Sequence, residues 1–239
     1  MKPSINIRQI AKKTTVLFSV TALGIISLAS CTAQQPPTAV VEPTKETTQP
    51  KLAEVANNTQ ESATLKNLQA AYNGESNAHV RYLAFAKKAD EEGYGKVASL
   101  FRAAARAEEI HSDHHAKVIK KMGATPTNKI ETPVVKSTSE NLQEAIKGES
   151  YERDTMYPEF IKQAEKENNK DAVRTLEFAK NAEEGHAKYY TEALNNLTAW
   201  KGGTKTFYVC PDCGLTVAVI DFKNCPECGE PQNLFLKIV

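Results

Sequence analysis

The chain has 239 residues and a formal net charge of +1 at pH 7. This length is enough for one substantial hydrophobic core and a small additional module. A net charge so close to zero produces no overall basic field, and such fields are what draw proteins to nucleic acid. We therefore expect no nucleic-acid partner.

The first 30 residues resemble a bacterial secretion signal. The basic residues end at Lys13, and the next 17 residues carry no charge. Such a run suits the apolar region of a signal peptide and is short for a membrane-spanning helix. It ends in L-A-S-C, which resembles the lipobox in which the cysteine, here Cys31, is acylated and becomes the mature N-terminus. We predict a signal peptide over residues 1–30 and a membrane-anchored lipoprotein in the periplasm or on the cell surface of a bacterium. An uncleaved anchor would also place the folded part outside the cytoplasm.

The following segment, residues 31–61, differs in composition from its neighbours. It is rich in Pro, Thr, Gln and Glu and poor in aromatic residues. A segment of this kind cannot bury enough apolar surface to offset its loss of conformational entropy on ordering. We predict a flexible tether between the membrane anchor and the folded part.

The next region, residues 62–200, has the period of amphipathic helices. Apolar residues recur at steps of three and four in four segments of roughly 25 residues or more. Gly93 and Gly123 interrupt the pattern, and Ser139 is a plausible N-cap of the third helix. The long connection over residues 124–137 contains two prolines. Two helical hairpins joined by one long crossover predict a ferritin-like four-helix bundle.

The two halves of this helical region share a sequence repeat. GES occurs at residues 74–76 and again at 148–150, each time with NLQ at the same distance before it. Each half also carries E-x-x-H on its second helix. A duplicated hairpin folded against itself brings the corresponding sites together by pseudo-twofold symmetry. The repeat is broken at Glu152, whose counterpart in the first half is Ala78.

Seven ionisable side chains lie on the helix faces that the apolar period predicts to be buried. They are Glu75, Glu108, His111, Glu149, Glu152, Glu183 and His186. A single such residue has an ordinary explanation at the rim of a core. Seven of them on four facing helices would bury charge at high cost unless something compensates it. A pair of divalent or trivalent metal ions supplies the missing positive charge.

The spacing of these residues favours one kind of metal site. Residues at i and i+3 of a helix differ by about 60° in direction and about 4.5 Å in height. The Glu and His of each E-x-x-H motif can therefore bind one metal ion, or the Glu can bridge two ions while the His binds one. One Glu from each of two helices, with E-x-x-H from each of the other two, is the known donor pattern of di-iron bundles. Glu and His donors suit iron or manganese better than copper. We predict a di-iron centre with these residues as metal ligands and catalytic groups.

Three further residues lie on the same buried faces. His79 and His115 have no matching partner in the other half, and we do not expect them to bind metal. Tyr82 lies two turns beyond Glu75. It either donates a hydrogen bond to a ligand carboxylate or packs in the core.

Residues 201–239 form a second predicted module. Apolar and polar residues alternate along it, and it is too short to hold a core unaided. Two C-P-x-C-G motifs place four cysteines in the spacing C-x2-C-x11-C-x2-C, at Cys210, Cys213, Cys225 and Cys228. Two such tight turns direct four thiolates at one centre and predict a tetrahedral metal site.

Alternatives exist for this cysteine site. Two disulfides are compatible with an oxidising compartment, although the paired turns favour a metal. Spacing does not separate zinc, which would make a structural ribbon, from iron, which would make a one-electron carrier. A redox centre in the neighbouring bundle needs electrons, and this favours iron.

Together these motifs resemble the rubrerythrin family, which joins a ferritin-like di-iron bundle to a rubredoxin-like domain. The resemblance covers residues from about 62 to 239. It is carried by GES, A-E-E-I-H, G-E-S-Y-E, M-Y-P, A-E-E-G-H and the two cysteine knuckles. The resemblance implies that Glu108 and Glu183 bridge the irons, with Glu75 on one iron and Glu149 and His186 on the other. It also implies that the first iron exchanges Glu152 for His111 as its redox state changes.

The resemblance further implies a function in oxidative-stress defence. The protein would reduce hydrogen peroxide to water with electrons relayed through the rubredoxin-like iron. Two subunits would pair head to tail, with one subunit's rubredoxin-like site near the other's di-iron site. The predicted signal and tether depart from the family, whose members are mostly cytoplasmic. We therefore expect an extracytoplasmic electron-donor protein as a partner.

Two other functions are compatible with the same residues. One is a ferroxidase or iron-handling protein, which uses oxygen and passes ferric iron on. The other is a non-catalytic metal-binding module with a zinc ribbon.

Overall fold

The computed structural model of the protein describes residues 62–239. The predicted signal peptide, the lipidation of Cys31 and the tether lie outside the described residues. Within residues 62–239, none of the helices is both long and apolar enough to cross a membrane.

Long helices make up most of the described chain. They are α1 (Ala63–Glu91), α2 (Gly95–Lys121), α3 (Thr138–Tyr151), α4 (Tyr157–Lys166) and α5 (Lys170–Asn195). α1 packs mainly against α2, and α3 and α4 pack against α5. Because α4 continues α3, these elements form two hairpins of a four-helix bundle. The predicted ferritin-like architecture is confirmed.

The third bundle helix differs from the prediction in two ways. Its N-cap is Ser137, not Ser139, because the Ser137 hydroxyl accepts a bond from the Glu140 amide and the Glu140 carboxylate accepts one from Ser137. The helix is also not continuous, since Glu152–Met156 form a π-helical turn between α3 and α4. A π-helical turn holds one more residue than an α-helical turn. The residues that follow it are therefore shifted by one position relative to the first half.

The crossover between α2 and α3 runs along α1. Three carboxamide side chains hold it, and they are spaced one helical turn apart on one face of α1: Gln69, Asn73 and Asn77. Each of them bonds backbone groups between residues 125 and 131 at distances of 2.7–3.0 Å. These bonds satisfy backbone groups that belong to neither a helix nor a strand.

The C-terminal module is a small antiparallel sheet with two cysteine knuckles. β1 (Phe207–Val209) lies between β2 (Thr216–Val217) and β3 (Leu236–Ile238). The first knuckle joins β1 to β2, and the second lies between β2 and β3. This arrangement confirms the predicted rubredoxin-like module.

The sheet packs on the bundle of its own chain. Phe207 joins the hydrophobic cluster that contains Phe101 and Trp200. The segment that leads into β1 also approaches α2 closely, since a Cβ atom at Gly95 would lie 1.9 Å from the Gly203 carbonyl oxygen. The family resemblance implies that the rubredoxin-like site meets a second subunit, whereas here it meets the same chain. The pairing of two subunits stays a prediction.

Candidate metal centres

Two groups of buried side chains converge inside the bundle. Within each group the donor atoms lie within 4.8 Å of one another. The first group contains Glu75, Glu108, His111 and Glu183. The second group contains Glu108, Glu149, Glu183 and His186. Glu108 and Glu183 belong to both groups. They are therefore placed to bridge two metal ions, as the family resemblance implies.

The carboxylate oxygens of this cluster fit metal ions. Each of the four glutamates is at most 1% exposed. Each also has one buried oxygen with no hydrogen-bond partner among the described residues. Such orphaned oxygens are costly inside a protein, and four of them in one cluster are explained by metal binding. Four carboxylates and two imidazoles form a donor set suited to a pair of iron ions.

Two of the glutamates resist ionisation when no metal is bound. Desolvation, together with the neighbouring Glu108 carboxylate, raises the pKa of Glu75 well above its ordinary value. The same two causes raise the pKa of Glu183. A bound cation removes this repulsion, so metal binding and ionisation of these carboxylates are coupled.

Glu108, in contrast, is stabilised in its ionised form by the two histidines of the cluster. Burial opposes ionisation of this group, yet His186 and His111 hold the pKa of Glu108 at about 2. Burial by itself would lower the pKa of His186, but Glu108 and Glu149 raise it to about 10. In the metal-free cluster a protonated imidazole thus supplies the positive charge that metal ions would otherwise provide.

Two buried tyrosines make equivalent contacts to the glutamates. Tyr82 donates a hydrogen bond to Glu149 Oε1 at 2.5 Å, which confirms one of the two roles predicted for it. Tyr157 donates a hydrogen bond to Glu75 Oε1. Sequence reasoning missed Tyr157, because the offset that relates Glu75 to Glu149 leads from Tyr82 to Met156. The extra residue of the π-helical turn brings Tyr157 into the equivalent position.

The C-terminal module contacts both histidines of the cluster. His111 Nε2 donates to the Cys213 carbonyl at 3.2 Å. His186 Nε2 donates to Thr216 Oγ1 at 3.1 Å, and the Thr216 hydroxyl in turn donates to the Gly214 carbonyl. The Nε2 proton of each ring is therefore directed at the C-terminal module, and Nδ1 faces the glutamates. This is how hydrogen-bonded imidazoles are oriented toward a metal.

Gly214 permits the close contact between the knuckle and the bundle. Its φ angle is +77°, in the left-handed region that favours glycine. A Cβ atom at this position would lie 2.3 Å from His111 Nε2. A larger residue would therefore push the knuckle away from His111.

The four cysteines also converge on one point. Their sulfur atoms lie within 4.8 Å of one another, and the Cys210–Cys228 and Cys213–Cys225 pairs are each 3.5 Å apart. A disulfide bond is about 2.05 Å long, so the disulfide alternative is not the arrangement seen. A tetrahedral site with metal–sulfur bonds of about 2.3 Å has edges of about 3.8 Å. The site fits one iron or zinc ion.

Among the seven ligands proposed in the bundle, Glu152 is the one that lies outside both groups of converging Glu and His donor atoms. It begins the π-helical turn and is partly buried. Desolvation and the nearby Glu149 carboxylate raise the pKa of Glu152 well above its ordinary value. Glu152 is therefore electrostatically coupled to the cluster. Its exchange with His111 stays a prediction.

The two remaining histidines of the buried faces also lie outside both groups. His79 Nδ1 lies 2.7 Å from the Ala105 carbonyl oxygen. His115 is fully buried, with Nδ1 at 3.0 Å from Thr175 Oγ1 and Nε2 at 3.5 Å from the Tyr157 hydroxyl. The sequence carries no signal for these contacts of His115, since the three residues lie on different helices.

The fold and the two sites define a di-iron carboxylate bundle protein with an attached four-cysteine module. The sequence matches the family model of rubrerythrin over residues 66–194. The chain therefore belongs to the rubrerythrin family and is a di-iron oxidoreductase. Its bundle provides the family's di-iron site, and its cysteine cluster holds one further iron or zinc ion.

Known relatives agree with this assignment. Nigerythrin from Nitratidesulfovibrio vulgaris is 40% identical over 176 residues, which are 72% of this chain and 85% of the relative. Rubrerythrin-2 from Clostridium acetobutylicum is 36% identical over 171 residues, which are 70% of this chain and 92% of the relative. A solved structure of fully reduced, all-ferrous nigerythrin superposes with a TM-score of 0.68 at 39% identity, covering 77% of this chain and 91% of that one.

Proposed function

We propose that the protein is a rubrerythrin-type peroxidase that reduces hydrogen peroxide in oxidative-stress defence. The balanced reaction is H2O2 + 2 e− + 2 H+ → 2 H2O. The supporting observation is the 3.2 Å hydrogen bond from His111 Nε2 to the Cys213 carbonyl. It joins a candidate ligand of the bundle directly to a cysteine of the C-terminal module. A ferroxidase needs no such connection, because ferrous iron is itself the electron source.

The bundle residues would hold two iron ions, with Glu108 and Glu183 binding both of them. Bound iron would supply electrons to the O–O bond and positive charge to the reduced oxygen atoms. Tyr82 and Tyr157 orient Glu149 and Glu75 through their hydrogen bonds. Burial of all four glutamates keeps bulk water away from the reacting atoms and strengthens these electrostatic contacts.

The four-cysteine site would deliver electrons one at a time, so that two deliveries complete each turnover. Iron at this site is part of the proposal, because zinc has no redox chemistry. The Cys213 carbonyl and the His111 ring connect the two centres directly. A donor protein outside the cytoplasm would reduce the cysteine site from the solvent side.

The role of Glu152 tests peroxidase against ferroxidase activity. We expect Glu152→Ala to keep two bundle irons when reduced and to lose most peroxide turnover, because exchange of Glu152 with His111 would retain the oxidised ions. Wild-type protein is expected to oxidise much faster with hydrogen peroxide than with oxygen, without storing ferric iron. Stopped-flow absorbance and iron analysis measure both properties.

Asp154→Ala is the matched control, since Asp154 is an exposed acid in the same π-helical turn. It should leave turnover near the wild-type value. Equal oxidation rates with peroxide and oxygen, together with many irons stored per chain, would instead support the iron-handling function. Tightly held zinc in the cysteine site of freshly isolated protein would contradict the built-in electron relay.

We also propose that the enzyme is anchored outside the cytoplasm through a lipid on Cys31. The support is sequence alone, namely the L-A-S-C run after an uncharged stretch. Cys31→Ala is expected to abolish acylation and release the protein from membranes. Membrane fractionation and intact-mass measurement test this, with Thr32→Ala as the control. A Cys31→Ala protein that stays in the membrane fraction at unchanged mass would disprove the lipid anchor.

A further inference from the structure

The pseudo-twofold symmetry of the bundle breaks just beyond the glutamates. The offset that relates His111 to His186 pairs His115 with Tyr190. Tyr190 is fully buried, and its hydroxyl has no hydrogen-bond partner among the described residues. Its ring packs against Phe101 at 5.1 Å and Tyr82 at 5.7 Å between ring centres. At the Tyr190 hydroxyl, polar contacts therefore end in an aromatic core.

On the other side, the polar contacts continue to the surface. Tyr157 donates to Glu75, and its hydroxyl lies 3.5 Å from His115 Nε2. The opposite ring nitrogen of His115 lies 3.0 Å from Thr175 Oγ1. Thr175 in turn lines a surface pocket of about 260 Å³. The liquid volume of one water is about 30 Å³, so this pocket has room for several waters.

The donors and acceptors along this chain have one consistent direction. The Tyr157 proton is directed at Glu75, so the Tyr157 oxygen is left to accept a bond from His115 Nε2–H. A neutral ring protonated at Nε2 accepts at Nδ1, which matches the hydroxyl of Thr175. Every link therefore points from the pocket toward Glu75.

We infer that Thr175, His115 and Tyr157 form a proton path from the surface pocket to Glu75 at the di-metal site. The inference rests on the proposed function, because peroxide reduction consumes two protons for each molecule. A proton from pocket water enters the Thr175 hydroxyl, whose own proton moves to His115 Nδ1. The Nε2 proton passes to Tyr157, and the Tyr157 proton passes to Glu75 and then to reduced oxygen.

Each group along this path takes one proton and gives one, so none of them changes its net charge. The hydroxyls and the ring reset by rotation before the next proton passes. Thr175, His115 and Tyr157 are thereby assigned a role that the Tyr190 side cannot perform. The aromatic contacts of Tyr190 provide packing but no connected series of donors and acceptors.

The first test measures exchange of the His115 ring proton with water. Full-length protein is labelled with ¹⁵N-histidine and loaded with zinc, which keeps the site diamagnetic, and the resonance is assigned by its loss in His115→Gln. Thr175→Val has nearly the same shape but no hydroxyl, and we expect it to slow exchange at least tenfold. Thr175→Ser should restore the rate. Thr191→Val is the control, since it removes another hydroxyl of α5 that bonds only within that helix.

The second test uses the iron-loaded enzyme. Thr175→Val is expected to lower peroxide turnover at least fivefold and to raise the solvent deuterium isotope effect, while Thr191→Val changes neither. Unchanged His115 exchange in Thr175→Val would overturn the proton path even if the enzyme reduces peroxide. Absence of peroxide turnover in wild-type protein would refute the proposed function, while slowed exchange would still support the path.

Discussion

Glu183→Gln is expected to remove both metal ions from the bundle while leaving the cysteine site loaded. Glu183 belongs to both groups of donor atoms, so a neutral amide at this position weakens both sites together. Gln has nearly the same volume as Glu, so the core around it stays filled. Metal analysis of purified protein should fall from two bundle irons to almost none, with the cysteine-bound ion unchanged.

Two further variants serve as comparisons for Glu183→Gln. Glu75 belongs only to the first group, so Glu75→Gln should weaken one metal site far more than the other. Glu184→Gln changes an exposed acid next to Glu183 on α5 and should retain both ions. If Glu183→Gln binds two irons as tightly as the wild type, Glu183 does not bridge the metals.

Removal of the bundle metals is expected to make the protein less stable as pH rises. The pKa values of Glu75 and Glu183 are raised in the folded, metal-free state, mainly by burial. A raised carboxyl pKa favours the folded state at low pH, and this contribution is lost as pH rises above about 4.5. The raised pKa of His186, at about 10, acts in the same direction between about pH 6.5 and 10.

The pKa of Glu108, at about 2, has no influence on the slope above pH 5 because that group is ionised in both states there. Each unit of displacement in pKa corresponds to about 1.4 kcal/mol of unfolding free energy. We therefore expect the unfolding temperature of chelator-treated protein to fall steadily from pH 5 to 9. The iron-loaded protein should show a flat or rising profile. A metal-free profile that rises with pH would mean that the carboxylates are not buried as described.

The sequence alone contained enough information to predict the class of fold and most of the side chains that converge inside the bundle. Periodicity assigned the helices, and carboxylates on apolar faces stood out because burying unpaired charge is costly. The cysteine spacing predicted the four-sulfur metal site, because each C-P-x-C-G turn is local in sequence and supplies two sulfur atoms. Features of this kind can be predicted from sequence because they depend on residues only a few positions apart.

Other features were decided only by the tertiary structure. The π-helical turn at Glu152–Met156 shifts Tyr157 by one residue. The repeat offset grows from 74 residues at Glu149 to 75 at His186, which reveals an extra residue but not where it lies. The bond from His111 to the Cys213 carbonyl, and the chain from Tyr157 through His115 to Thr175, join residues far apart in sequence. Such contacts depend on how helices and sheet pack in space. The physical reason is that residue type and spacing determine which polar groups and metal ligands each helix face carries. The packing of helices and sheet then determines which of these groups come into contact.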